Sequence, residues 1–107
     1  MKTPYDSYIT FIIDLIRVND VVIVPAFGSS MYPYICSGDL VILKKYKNET
    51  IHVGDIIFVY NKNCLSSYIH RVVKIEKNVI ITKGDNSRYE DFPVKKRHVV
   101  GIFIGKR

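Results

Sequence analysis

Cysteine is scarce. Cys36 and Cys64 stand far apart, with neither a CxxC pair nor a histidine-rich spacing around them. That excludes a disulfide scaffold and a zinc site, and it suits a reducing cytosol. Long apolar runs are missing as well. The most apolar early stretch, Tyr8 to Ile16, is interrupted by Asp14 and followed by Arg17 and Asp20, whereas a membrane span needs roughly 20 apolar residues. No basic start followed by a small-residue cleavage site marks a secretory signal. The expectation is a soluble chain, cytoplasmic or at most peripheral to a membrane. Acidic residues are the minority, 10 Asp+Glu against 16 Lys+Arg, for a net charge of +6. The lysines are scattered, apart from Lys95-Lys96-Arg97-His98 and Lys106-Arg107, and no helix-turn-helix or zinc-finger spacing accompanies them. The charge therefore reads as a solvated surface, and no nucleic-acid partner is expected. Repeats, low-complexity linkers and strand–helix alternation are absent too, so a parallel α/β sheet is not expected. A chain of 107 residues fits one domain.

What is present reads as one helix and then strands. Thr3 can cap a helix whose first position is Pro4, and Asp6 can reach back in a capping box. Tyr5, Ile9, Ile12, Ile13 and Ile16 recur at helical spacing, which predicts a helix over 4–18. From Asp20 onward, β-branched runs alternate with turn formers. Strands are predicted at Val21–Val24, Leu40–Leu43, Asp55–Tyr60, Tyr68–Ile75, Val79–Thr82 and Val99–Ile104, with turns at Gly28, Gly38-Asp39, Gly54-Asp55, Asn61 to Asn63, Lys77-Asn78 and Gly84 to Asn86. Glu76 to Val79 reads as a tight hairpin. The expected fold is mostly β, a compact domain with one short N-terminal helix (4–18) and a β core over 21–106.

Three small polar clusters interrupt the apolar strands: Gly28-Ser29-Ser30-Met31, Ile69-His70-Arg71 and Lys83-Gly84-Asp85-Asn86. Each falls at a predicted strand end or turn, where reactive groups tend to be carried on a rigid frame. Singly, each also reads as an ordinary turn or a structural histidine. Gly38-Asp39 and Gly54-Asp55 read as turn devices, with the carboxylate bonding nearby backbone N–H groups. His52, at a strand entrance, and His98, in the basic cluster, are expected at the surface.

Taken in order, GSSMYP, SGDLVIL, VGDIIFV, YIHRVVKI, ITKGDNSRYED and VVGIFIGK resemble the S24/S26 serine peptidases. That group includes the signal peptidases and the self-cleaving phage and SOS-type repressors. The resemblance runs from about Val21 to Lys106. It implies a signal-peptidase-like β fold and a serine nucleophile at Ser30. Bacterial signal peptidases and repressors carry a lysine base where this chain has His70. The archaeal and endoplasmic-reticulum signal peptidases carry histidine there, with an aspartate from a KGDN block, and this chain is similar to them. The resemblance thus implies His70 as general base and either Asp85 or Asp91 as its orienting carboxylate. A Ser–Lys arrangement is the reserve, with Lys83 preferred to Lys44. Bacterial signal peptidases also place a serine two positions before the nucleophile, where this chain has Gly28. The oxyanion would then rest on the Ser30 backbone N–H, helped by Ser29, with Met31 and Pro33 shaping the wall beside it.

The chemistry fits these residue types. A serine hydroxyl needs a base to attack an amide, histidine titrates near neutral pH, and a carboxylate beyond the ring fixes the tautomer. The resemblance implies a peptide or protein substrate with small residues before the cut, captured in extended form along a sheet edge. It leaves room for a membrane-associated partner and calls for no cofactor and no metal. Relatives that cut preproteins carry a membrane span, and self-cleaving repressors carry a DNA-binding domain. Neither is expected here, so cleavage of a leader-type peptide in trans is the leading reading. The alternative is a catalytically silent peptide-binding or regulatory module of the same fold.

Overall fold

The computed structural model describes residues 4–62 and 66–107, the side chains of Tyr5 and Ser66 excepted. Thr3, Asn63 and Cys64 therefore lie outside the described residues, and so do the cap and the part of a turn expected there. Helix α1 spans Pro4–Val18, as its spacing predicts. The strands are β1 (Val21–Pro25), β2 (Leu40–Lys45), β3 (Ile56–Asn61), β4 (Ser66–Glu76), β5 (Val79–Lys83) and β6 (Val99–Lys106), with a single 3-10 turn at Lys96–His98 before β6. All six join one sheet in the order β1-β2-β6-β3-β4-β5, and every pairing is antiparallel.

The observed strands mostly outlast the predicted ones by one or two residues, because backbone pairing continues past the last apolar side chain. Asp55 is the exception and falls outside β3. Its carboxylate accepts the His52 N–H at 2.8 Å, and its own N–H is bonded to the His52 carbonyl at 3.0 Å. Asp39 does the same for the Cys36 N–H at 2.8 Å. Both Gly-Asp pairs are thus the turn devices their sequence suggests. The Glu76–Val79 hairpin closes across Lys77 and Asn78, with Lys77 at a φ of 54°.

Two apolar layers cover the sheet. On one face Ile9, Ile12, Ile13 and Ile16 of α1 pack with Val22, Val24, Val41, Leu43, Ile56, Phe58, Met31 and Ile35. On the other, Ile57 and Val59 pack with Val72, Ile80, Val94 and Val99. Strand β3 is buried on both faces, which explains its unbroken IIFV run where an alternating pattern would mark a half-exposed strand.

Ile16 is the seat of the helix. Gly101 lets it approach β6, since a Cβ there would lie 2.9 Å from Ile16 Cδ1 and 3.1 Å from the Lys44 carbonyl oxygen. Ile16→Ala should therefore leave a cavity that the glycine floor cannot fill. The expected loss is about 2–5 kcal/mol, read as a lower urea midpoint at unchanged slope. A loss below about 1 kcal/mol would mean that the helix is not anchored there.

Bulges interrupt β2 against β6, β3 against β6, and β4 against β5, and each adds bend and twist. The sheet curls accordingly. Strands β1 and β4, four places apart in the order, line the same cleft.

Candidate active site

After β1 the chain enters a turn anchored at both ends. Ala26 donates its N–H to the Asp39 carbonyl (2.8 Å) and accepts one from Gly38 (2.7 Å), closing the base of the loop. Within it, the Tyr32 N–H bonds the Ser29 carbonyl at 3.1 Å, and the Ile35 N–H bonds that of Met31 at 2.9 Å. Met31 and Ile35 are buried in the helix-side core. Ser30, held between these anchors, is half-buried at the edge of the cleft.

A second loop, Gly84 to Asn86, grips this turn from the β5 side. Asn86 donates its backbone N–H to the Ser30 carbonyl at 2.8 Å and its Nδ2 to the Ser29 carbonyl at 3.1 Å. The Asp85 N–H points at Met31 Sδ, 3.4 Å away. The approach requires glycine at position 84, because a Cβ there would meet the Ser30 carbonyl oxygen at 2.7 Å and Ser87 Oγ at 2.5 Å. Gly84→Ala should push the two loops apart. Expected are a stability loss of about 1–3 kcal/mol, measured by denaturant unfolding, and a displaced Ser30. A variant of wild-type stability would show that the contact is slack.

His70 lies on β4, only 7% exposed. Its Nε2 is 3.0 Å from Ser30 Oγ, and its Nδ1 is 2.6 Å from Asp91 Oδ2. With Asp91 ionised, Nδ1–H donates to the carboxylate, so Nε2 offers its lone pair to the serine hydroxyl. Asp91 lies between β5 and β6 in a stretch outside regular structure. Its N–H donates to the Thr82 carbonyl at 2.8 Å.

Asp85 is engaged elsewhere. Arg71 grasps it two-handed, Nε to Oδ1 and Nη2 to Oδ2 at 2.9 Å each, while Nη1 reaches the Gly54 carbonyl at 3.1 Å. Tyr34 lies 5.3 Å from the guanidinium carbon. Hydrogen bonding to Arg71 holds the Asp85 carboxyl below its ordinary value, and the same bond raises that of Arg71. The geometry thus separates the two aspartates that the sequence left as alternatives. One is on His70, the other on its chain neighbour.

The remaining candidates make other contacts. Lys83 Nζ bonds the Gly84 carbonyl at 3.1 Å, and Lys44 faces Glu49 at 3.5 Å. His52 is exposed, with its ring nearest Asp55. His98, expected at the surface, is half-covered, because the 3-10 turn folds back against β3. Burial lowers its pKa, and its Nδ1 accepts the Lys95 N–H at 3.1 Å. Ser29 is exposed and contributes its carbonyl to the turn, while Met31 lines the cleft. Among the described residues no His, Cys, Asp and Glu cluster could hold a metal ion.

The cleft beside Ser30 encloses about 180 Å³ and is mainly apolar, walled by Tyr8 and Ile12 of α1, Phe27, Phe58, Tyr68 and Ile69. The Ser30 backbone N–H has no partner among the described residues. Sequence reasoning passed over Tyr68 and Thr82, and gave Arg71 no role beyond its place in the Ile69-His70-Arg71 cluster. Tyr68 stacks on the His70 ring, centroids 4.5 Å apart and planes 25° from parallel. Its alternation with His70 on one strand face was the available sign.

The family model described as Peptidase S24-like matches residues 2–106. The chain is 30% identical over 97 residues to the signal peptidase complex catalytic subunit of Zygosaccharomyces rouxii, covering 78% of this chain and 58% of that protein. Over 74 residues it is also 30% identical to a signal peptidase complex catalytic subunit of Homo sapiens, covering 64% of this chain and 38% of the human protein. The corresponding subunit of Ogataea parapolymorpha is 26% identical over 114 residues, covering 85% and 64%. The chain spans little more than half of the first of these relatives. A match over nearly the whole length, on a curled antiparallel sheet with one helix, places this chain in the S24/S26 peptidase family, close to the endoplasmic-reticulum type of signal peptidase.

Proposed function

We propose that this chain is a serine endopeptidase acting on leader- or signal-type peptides. Ser30 is its nucleophile, His70 its general base and then acid, and Asp91 the carboxylate that orients His70. The observation that carries this reading is the unbroken hydrogen-bonded line from Ser30 Oγ through both nitrogens of His70 to Asp91 Oδ2, at 3.0 and 2.6 Å. In the reaction Nε2 takes the hydroxyl proton as Oγ attacks the scissile carbonyl. It then returns that proton to the leaving amine, and water repeats the sequence on the acyl-enzyme. The Ser30 N–H, without a partner among the described residues, is available to the oxyanion. Each such donor is typically worth about 3–4 kcal/mol in the transition state. Asp85, saturated by Arg71, stays outside this chemistry.

Substrate would lie extended between β1, an outer strand of the sheet, and the start of β4, where main-chain pairing gives affinity and the apolar cleft reads side chains. The family resemblance favours small residues before the cut. Among the described residues no helix is long and apolar enough to cross a membrane. The relatives' names place them in a signal peptidase complex, so a membrane-associated partner that delivers substrate belongs to this proposal. So does the treatment of residues 1–107 as one catalytic domain. The test is digestion of a mixed peptide library read by mass spectrometry. Cuts after small residues are expected, and cuts confined to positions after bulky or charged residues would overturn the substrate assignment.

A further inference from the structure

Asp91, like Ser30, sits outside regular structure, yet its carboxylate must hold a fixed direction. Thr82, on β5 and 0% exposed, is the neighbour that can fix it. It touches Asp91 twice. Its carbonyl accepts the Asp91 N–H at 2.8 Å, and its Oγ1 lies 2.8 Å from Oδ2, the oxygen that faces His70. Thr82 Oγ1 also lies 3.2 Å from the Tyr68 hydroxyl. Proton counting sets the directions. An ionised carboxylate can only accept, so the single Thr82 proton goes to Asp91, and Tyr68 must donate to Thr82 Oγ1. Burial raises the Tyr68 pKa, which keeps that proton in place. The ring of the same Tyr68 stacks on His70 and lines the cleft.

We infer that Thr82 and Tyr68 are positioning residues of the catalytic site: a relay from the Tyr68 hydroxyl through Thr82 Oγ1 to Asp91 Oδ2 locks the carboxylate, while the Tyr68 ring braces His70 from the side. The inference rests on the Ser30–His70–Asp91 reading above. A bare packing role would ask only for volume at position 82, which valine supplies. The relay asks for the hydroxyl. A hydrogen bond to a charged group, once removed, leaves a loss equivalent to about 10–100-fold in rate.

The experiment is a double-mutant cycle on kcat and KM with a peptide cut by the wild type, alongside proton NMR of the His70 Nδ1–H. Thr82→Val should lower kcat about 10–100-fold at nearly constant KM and broaden or shift that downfield proton, and Thr82→Ser should restore both. Tyr68→Phe should cost about 3–10-fold alone and almost nothing in the Thr82→Val background, because the relay is already broken there. Full activity and an unmoved proton in Thr82→Val would overturn the inference, as would independent, additive losses. Ser30→Ala in parallel separates the two readings. If it still cleaves, the catalytic line itself is wrong. If it is dead while Thr82→Val is unimpaired, only the relay falls.

Discussion

Ser30→Ala and His70→Ala should each abolish peptide hydrolysis, lowering kcat/KM by at least about 10⁴-fold, with the double variant scarcely worse than either single one. The magnitude follows from the shared task. The hydroxyl without its base is a poor nucleophile, and the base without the hydroxyl has no proton to move, so the losses overlap. Stability should divide the two variants. Ser30 is half-buried and its fold-bearing contacts are made by its carbonyl, so removing Oγ leaves the turn and the unfolding midpoint nearly unchanged. His70 is buried, stacked on Tyr68 and bonded to Asp91. Its removal takes one partner from the Asp91 carboxylate and empties space, costing about 1–3 kcal/mol. Both are checked by initial rates on a cleaved peptide together with urea unfolding. Retained cleavage in Ser30→Ala would remove the nucleophile from the proposal, and a His70→Ala variant of wild-type stability would contradict the buried geometry.

The elements of this fold were legible where a single period ruled. The isoleucines of α1 and the β-branched runs of β1 to β6 reveal their class directly, because burial on one face or two leaves its mark on the pattern. What alternation cannot express is the curl. That β1 and β4 share a cleft depends on bulges at Ile42/Leu43, Phe58/Val59 and Val72/Lys74, and a bulge has no composition of its own. The site shows the same limit. Ser30 and His70 stand out as polar residues among apolar ones, and both aspartates were visible as candidates. Choosing between them needed the direction of two side chains. Arg71 points one way from β4 and takes Asp85, while His70 points the other and meets Asp91. Thr82 was invisible for a simpler reason, since a buried threonine on a strand reads as a β former.

The two aspartates therefore support a sharp contrast. Asp91→Asn should fall about 10⁴-fold in kcat while Asp85→Asn stays within about tenfold of wild type. An asparagine at 91 carries no charge, so it no longer stabilises the imidazolium that forms. With its NH2 group turned to Nδ1 the ring proton also moves to Nε2, and the nitrogen facing Ser30 Oγ loses the lone pair it needs. Asp85→Asn takes from Arg71 its ionic partner and leaves the line at His70 intact, so its effect belongs to stability. The sign follows from the Asp85 carboxyl, which Arg71 holds below the unshifted value of 3.8. Such a group contributes fully above that value, and its contribution is lost as pH falls through the lower folded value. Wild type should thus be the more stable protein at neutral pH, and its advantage over Asp85→Asn should close well below pH 3.8. Urea midpoints at the two pH values, set beside kcat at neutral pH, measure both effects. If Asp85→Asn is as inactive as Asp91→Asn and its stability difference ignores pH, the carboxylate that serves His70 in turnover is the one this geometry gives to Arg71.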